Sequence, residues 1–156
     1  MIAVVQRVSE ARVEVGGRTV GRVGEGLLVL LGVRKGDDDE DARVLADRVA
    51  GFRIFEDEQG RMNRSAVDLG LGALVVSQFT LCADVRRGRR PGFDGAERPE
   101  GAVPRLRAFV RALEEKGVTV EEGEFGASMD VHLVNRGPAT FVLDSALWRP
   151  KSRDSG

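Results

Sequence analysis

The sequence predicts an α+β fold in which a curved, mostly antiparallel β-sheet or barrel carries two main helices. Three observations lead there. Seven or eight segments alternate, or run apolar, at strand length. Only two segments repeat at three- and four-residue steps, and they do not intersperse with the strands as a regular βαβ series would. The chain has 156 residues, enough for one domain whose core buries roughly 68–70% of the unfolded surface.

The elements follow in chain order. Ile2, Val4, Gln6 and Val8 alternate with Ala3, Val5 and Arg7, which suits a strand. A second strand over about Arg12 to Val15 meets Gly16-Gly17, a dipeptide that accepts a tight hairpin turn, and Arg18 to Val23 returns. Leu27 to Val33 is a continuous apolar run, expected for a strand covered on both faces. Over Asp37 to Gly51 the period changes, and Ala42, Leu45, Val49 and Phe52 share one helix face. The acidic run Asp37 to Asp41 at its start suits helix capping. A calcium loop counted from Asp37 would need Gly and Glu where Ala42 and Arg48 stand.

Gly51 to Met62 reads as a short strand and turn, and Leu74 to Leu81 as a strong strand. Cys82 to Pro99 is a loop rich in arginine and glycine. Val103, Leu106, Val110 and Leu113 mark a second helix ending near Gly117, a suitable C′ residue. Strands follow at Val118 to Glu121, Met129 to Leu133 and Ala139 to Leu143. The domain is expected over residues 1–144, with a short tail over 145–156.

Composition narrows the chemistry. The chain has 24 Lys plus Arg against 25 Asp plus Glu, so any nucleic-acid contact must use a local patch. One Cys excludes a disulfide framework, and one His with it excludes the usual zinc spacings. No stretch is long and apolar enough to span a bilayer, and the first residues lack a signal-peptide core. The expectation is a cytoplasmic, soluble protein with no metal, cofactor or membrane partner.

Familiar catalytic patterns fail. Gly21 to Gly26 has the wrong order for a dinucleotide fingerprint. His132 sits in an alternating strand, which disfavours a Ser-His-Asp triad, and Cys82 lacks a basic partner. Two segments stand out instead. Leu74-Val75-Val76 runs straight into Ser77-Gln78-Phe79-Thr80-Leu81, and strand periodicity would set Gln78 and Thr80 on one face. Asn135-Arg136-Gly137-Pro138-Ala139-Thr140 lies between two strands and reads as a turn. Polar groups ending a core strand must find partners or line a cavity.

Taken with Met1 to Val8, Gly26 to Val33, Arg53-Ile54-Phe55 and Arg87-Gly88-Arg89-Arg90-Pro91, these two segments make the chain resemble the D-aminoacyl-tRNA deacylase family over residues 1–144. The resemblance implies a homodimeric hydrolase that cleaves the ester between a D-amino acid and tRNA. It implies that a Gly-cis-Pro element, here Gly137-Pro138, enters the partner subunit's site and rejects L-amino acids. Ser77, Gln78, Phe79, Thr80 and Met129 would line the substrate pocket. Thr80 is a candidate catalytic residue, but a threonine nucleophile needs an activating base, and a positioning role is favoured. Arg86, Arg87, Arg89 and Arg90 are candidates for tRNA contact. Glycyl-tRNA charged on the wrong tRNA is a further expected substrate, because glycine has no side chain to exclude. Gly92 departs from the family's usual serine. The alternative is a non-catalytic RNA-binding β module using the Arg86 to Arg90 loop.

Overall fold

One long strand organises the molecule. Ile2–Val15 forms β1, with Ala3 and Val5 pointing into one core and Val8, Ala11 and Val13 into another. A register shift between Val8 and Glu10 turns the strand, so that Ala11 and Val13 join Val8 on the second side. The computed structural model describes residues 1–150.

The strand β1 pairs antiparallel with β2 (Arg18–Val23), β3 (Gly26–Gly32) and β8 (Asp130–Asp144). Beyond β3 the pairing becomes parallel, to β6 (Gly72–Ser77) and then β7 (Thr119–Glu122). The sheet of the described residues is therefore mixed, with three of its pairings antiparallel and two parallel. The cause lies in the helices α1 (Asp39–Ala50) and α3 (Pro99–Glu115), which carry the chain back across the sheet so that the next strand runs parallel. Between β3 and β6 a small hairpin, β4 (Phe55–Glu56) with β5 (Met62–Arg64), and a one-turn helix α2 (Ala66–Leu69) obscure that alternation in the sequence. The sheet curls until β2 meets β7: a Cβ on Gly21 would lie 2.3 Å from the Glu122 carbonyl oxygen. That nearly closes it.

Both helices pack on the β1, β3 and β6 face through Leu45, Val49, Phe109 and Leu113, all fully buried. Each such side chain contributes about 1.5–3 kcal/mol on burial. Asp38 caps α1 by accepting from the Asp41 N–H, while the Asp41 carboxylate accepts from the Asp38 N–H. The acidic run is thus a helix start. Gly117, at φ 95°, follows α3 where a left-handed residue is needed.

Four expectations need correction. Residues 2–15 are one strand, not two. The strand expected over Leu74 to Leu81 stops at Ser77, and Phe79–Cys82 is a 3-10 helix. Here the Gln78 N–H is taken by the Leu31 carbonyl at 2.8 Å, and the chain then leaves the sheet. The segment Asn135 to Thr140 is not a turn between two strands but a bulge within β8. The tail is partly built into the body: Ser145 is buried, accepts from the Met1 ammonium at 2.7 Å, and opens a short 3-10 helix, Ser145–Leu147. The Arg48 guanidinium lies over the Trp148 ring, and Arg149 reaches Asp38 and Asp41. Positions 151–156 of the expected tail lie outside the described residues.

Candidate active site

A cavity of about 540 Å³ opens where β6, the start of α3 and the 123–129 loop converge. Val76 and Ser77 form one wall, with Gln78 and Phe79 following as the chain bends away. Ala102 and Pro99 supply the helix side, and Phe125 and Met129 the far side. Phe79 meets Phe93 edge-on at 5.1 Å, so the aromatic rim is braced. Gly123 makes room for Met129, since a Cβ there would fall 2.9 Å from its sulfur. The structure brings together Ser77, Gln78, Phe79 and Met129, and adds Phe93, Phe125 and Ala102, which the sequence did not single out.

Thr80 does not line this cavity. It is exposed, and its hydroxyl accepts from the Gln78 side-chain amide. An amide cannot serve as the base that a threonine nucleophile requires. Backbone geometry offers another resource at this bend. The first N–H groups of a 3-10 helix have no acceptor within it, which leaves those of Phe79 and Thr80 available.

The second family segment lies elsewhere. In β8, Val8 pairs with Asn135 and Gln6 with Thr140, so residues 136–139 bulge out opposite Arg7. The Gly137–Pro138 peptide is cis. Gly137 lines a different crevice, together with Arg7, Phe55 and Glu56, and does not reach the Ser77 to Met129 cavity of the same chain. Arg7, only 7% exposed, holds the bulge: its Nε donates to the Arg136 carbonyl at 2.9 Å and its Nη1 to the Ile54 carbonyl at 2.6 Å. The sequence signal for Arg7 was its register, inward with Ala3 and Val5. A charge at an inward strand position needs partners.

The arginine loop is closed at its base by Asp84 and Gly92, which exchange backbone hydrogen bonds at 2.7 and 2.9 Å. Gly92 therefore keeps the loop's ladder bonds, and a Cβ there would meet only ordinary contact with the Asp84 carbonyl at 3.8 Å. Arg86 folds back on Asp84 through two hydrogen bonds of 2.9 and 2.8 Å, and that guanidinium holds the Asp84 carboxyl down to about 2. Arg87, Arg89 and Arg90 stay exposed. Burial pushes the Cys82 thiol upward, away from a reactive thiolate. His132 rests 3.4 Å from Glu14, beside a larger, open depression of about 810 Å³ that holds neither family segment. Among the described residues no cluster of His, Cys, Asp and Glu is arranged to hold a metal, and no helix is long and apolar enough to cross a membrane.

Comparison with known proteins bears on this arrangement. Residues 4–144 match the family described as D-Tyr-tRNA(Tyr) deacylase. A D-aminoacyl-tRNA deacylase of Roseiflexus castenholzii is 56% identical over 154 residues, 98% of each chain. One from Symbiobacterium thermophilum is 59% identical over 143 residues, 92% of this chain and 95% of that one. Among solved structures, the c-Myc DNA Unwinding Element Binding Protein superposes with a TM-score of 0.87 at 37% identity, over 92% of this chain and 98% of that one. A probable eukaryotic D-amino acid tRNA deacylase, at 18% identity and a TM-score of 0.80 over 92% of this chain and 98% of that one, shares the fold. With both segments in place on that fold, the chain belongs to the D-aminoacyl-tRNA deacylase family.

Proposed function

We propose that the Ser77 to Met129 cavity receives the aminoacyl end of tRNA, and that a second copy of this chain supplies Gly137–Pro138 as a wall against L side chains. The protein is then a chiral-proofreading hydrolase that releases a free D-amino acid and tRNA in the cytoplasm. One observation carries this reading. The two segments that mark the family sit in separate cavities of one chain, although a single site needs both.

The surface between them supports a second copy. Val142, Val4, Leu30 and Val76 form one cross-strand row. It starts in the cavity wall at buried Val76, passes through half-buried Leu30 and Val4, and ends at Val142, 63% exposed on β8. The far edge of β8 pairs with no strand of the described residues. An open edge beside an apolar row invites a two-fold partner. Phe79, 55% exposed beside the cavity, extends the same apolar surface.

The chemistry asks little of side chains. An aminoacyl ester is already activated, and the neighbouring 2′-hydroxyl of the terminal adenosine can assist its hydrolysis. Water adds to the carbonyl and gives up a proton, and negative charge gathers on the carbonyl oxygen. As the tetrahedral species collapses, the bond to the ribose oxygen breaks and that oxygen takes up a proton, by way of the neighbouring 2′-hydroxyl or solvent. The chain's part is to orient the ester and stabilise that oxyanion. The Phe79 N–H, on a residue that lines the cavity, is the first donor on offer. The Thr80 N–H comes next along the same 3-10 turn, just outside the lining, with Gln78 fixing the Thr80 hydroxyl. A wall that meets an L side chain meets nothing on glycine, so glycyl-tRNA is a second substrate. The exposed Arg87, Arg89 and Arg90 carry the phosphate contacts.

The test is a deacylation assay with matched D-, L- and glycyl-tRNA, run alongside sedimentation. Turnover of the D and glycyl esters by a dimer, with the L ester spared, is the expected result. Binding of tRNA without hydrolysis would instead favour the RNA-binding module. A fully active monomer would remove the second copy from the site.

A further inference from the structure

We propose that Asn135 is a positioning residue for chiral selection: its side-chain amide sets the shape in which the Gly137–Pro138 bulge meets the substrate. This rests on the trans reading above. The pairing of β8 with β1 runs to Val8↔Asn135 and resumes at Gln6↔Thr140. Residues 136–139 thus face Arg7 alone, and the strand ladder cannot supply the hydrogen bonds that would fix them.

Two side chains replace the ladder. Arg7 holds the Arg136 carbonyl from below. Asn135 closes the base: its Nδ2 donates to the Arg7 carbonyl at 3.2 Å and to the Ala139 carbonyl at 3.1 Å. One NH₂ group with two hydrogens bridges β1 and the far end of the bulge. Its other atom is equally placed. The Asn135 Oδ1 lies 2.8 Å from the position that a Cβ on Gly137 would take. The amide is therefore wedged under Gly137, and any shift of Asn135 shifts the residue argued to face the substrate. Gly137 has no positive φ that would demand glycine. Its need for glycine comes, within the chain, from the Asn135 amide.

Aspartate has the outline of asparagine but no donor, and it would set a carboxylate against two carbonyls. Alanine removes the amide altogether. Both variants should leave the cavity walls in place, because Asn135 does not line the Ser77 to Met129 cavity. Their effect should fall on discrimination rather than on ester binding.

The experiment measures kcat/KM for D- and L-aminoacyl-tRNA in Asn135→Asp and Asn135→Ala, with thermal midpoint and dimer content followed in the same preparations. The expected result is a D-over-L ratio lowered about tenfold or more, with the aspartate variant worse, because a misplaced wall changes relative transition-state energies. KM for D-aminoacyl-tRNA should change less than kcat. An unchanged ratio in folded, dimeric Asn135→Asp overturns the assignment, as does a loss explained entirely by the unfolded fraction. Asn135→Ser, which keeps one donor, gives the same readout where the alanine variant does not fold. Gly137→Ala separates the two levels. If it alters the ratio and Asn135→Asp does not, the Asn135 assignment fails by itself; if neither does, the trans reading fails as well.

Discussion

The two segments that mark the family are held in opposite ways. Ser77 to Thr80 leaves the end of a buried parallel strand, and its neighbours in the same chain already form a cavity around it. Asn135 to Thr140 bulges from an edge strand whose far side is unpaired among the described residues, and residues 135–138 are all exposed. Its support is internal, through Arg7 and Asn135, yet the substrate-sized cavity of this chain does not contain it. Braced from within and open to solvent, it is the segment that the proposed reading gives to a second copy. On the proposed reading the first region binds the ester and the second selects against L side chains.

That division is tested most severely at Gly137. A Cβ there would collide with the Asn135 Oδ1, so the residue or its support must move. Displacement of a site wall by about 1 Å can cost about a hundredfold in rate. Gly137→Ala should lower kcat/KM for D-aminoacyl-tRNA by about that factor, while circular dichroism and thermal midpoint stay near those of the unmodified protein. A variant that still hydrolyses D esters at the original rate would detach this segment from selection.

Arg7 sharpens the comparison from beneath. Arg7→Met keeps most of the apolar stem but leaves the Arg136 and Ile54 carbonyls without their donor. Each unsatisfied buried group costs about 1–3 kcal/mol, so losing the donor to both should cost about 2–6 kcal/mol in chemical denaturation. It should fall on the selection side, with D-over-L preference declining and binding of a non-hydrolysable aminoacyl-adenosine analogue near normal. Equal loss of both would mean that the two regions are not separable.

How much of this is legible in the sequence differs between the regions for a physical reason. Periodicity finds the helix α1 and the run of β3, because burial of Ala42, Leu45, Val49 and Leu27 to Leu31 is written locally. The break after Ser77 is not local. β3 ends at Gly32, so the last ladder bond it offers β6 is the one from the Gln78 N–H to the Leu31 carbonyl. Gln78 and Thr80 do meet, as strand parity suggests, but through a 3-10 turn and a direct hydrogen bond. Pro99 and Ala102, ahead of Val103, mark an earlier start for α3 and a wall of the cavity. The parallel pairs require knowing which strands neighbour across intervening helices, and that information is absent from any window. Arg7 is visible in parity; its acceptors, 47 and 129 residues away, are not.

The arginine loop serves neither region directly, and it should show as salt dependence. Reversing charge at Arg87 and Arg89 should flatten the slope of log affinity for tRNA against log salt by about one for each phosphate released. Arg86→Ala should leave that slope nearly unchanged, since Asp84 already neutralises its guanidinium. Asp84 has its native carboxyl lowered to about 2 by Arg86, so their pairing favours the folded loop above about pH 4 and fades as pH falls towards 2. A slope altered as much by Arg86→Ala as by the Arg87 and Arg89 reversals would refute this division of labour.

The smallest effect is expected where a nucleophile would first be sought. Thr80 stands at the end of the binding segment, exposed, outside the cavity lining, with its hydroxyl held by the Gln78 amide. A nucleophile in that position would need a base to take its proton, and the hydroxyl's side-chain partner is a donor. Removing a positioning hydrogen bond costs of order 1 kcal/mol, less than about tenfold in rate even if the transition state feels all of it. Thr80→Ala should therefore retain most activity and the whole of the D-over-L ratio, because its backbone N–H survives the substitution. Gln78→Ala should match it within a few-fold, because the two side chains serve one hydrogen bond. Loss of several orders of magnitude in Thr80→Ala, or an acyl group trapped on Thr80 by rapid quench and mass spectrometry, would transfer the chemistry from backbone to side chain.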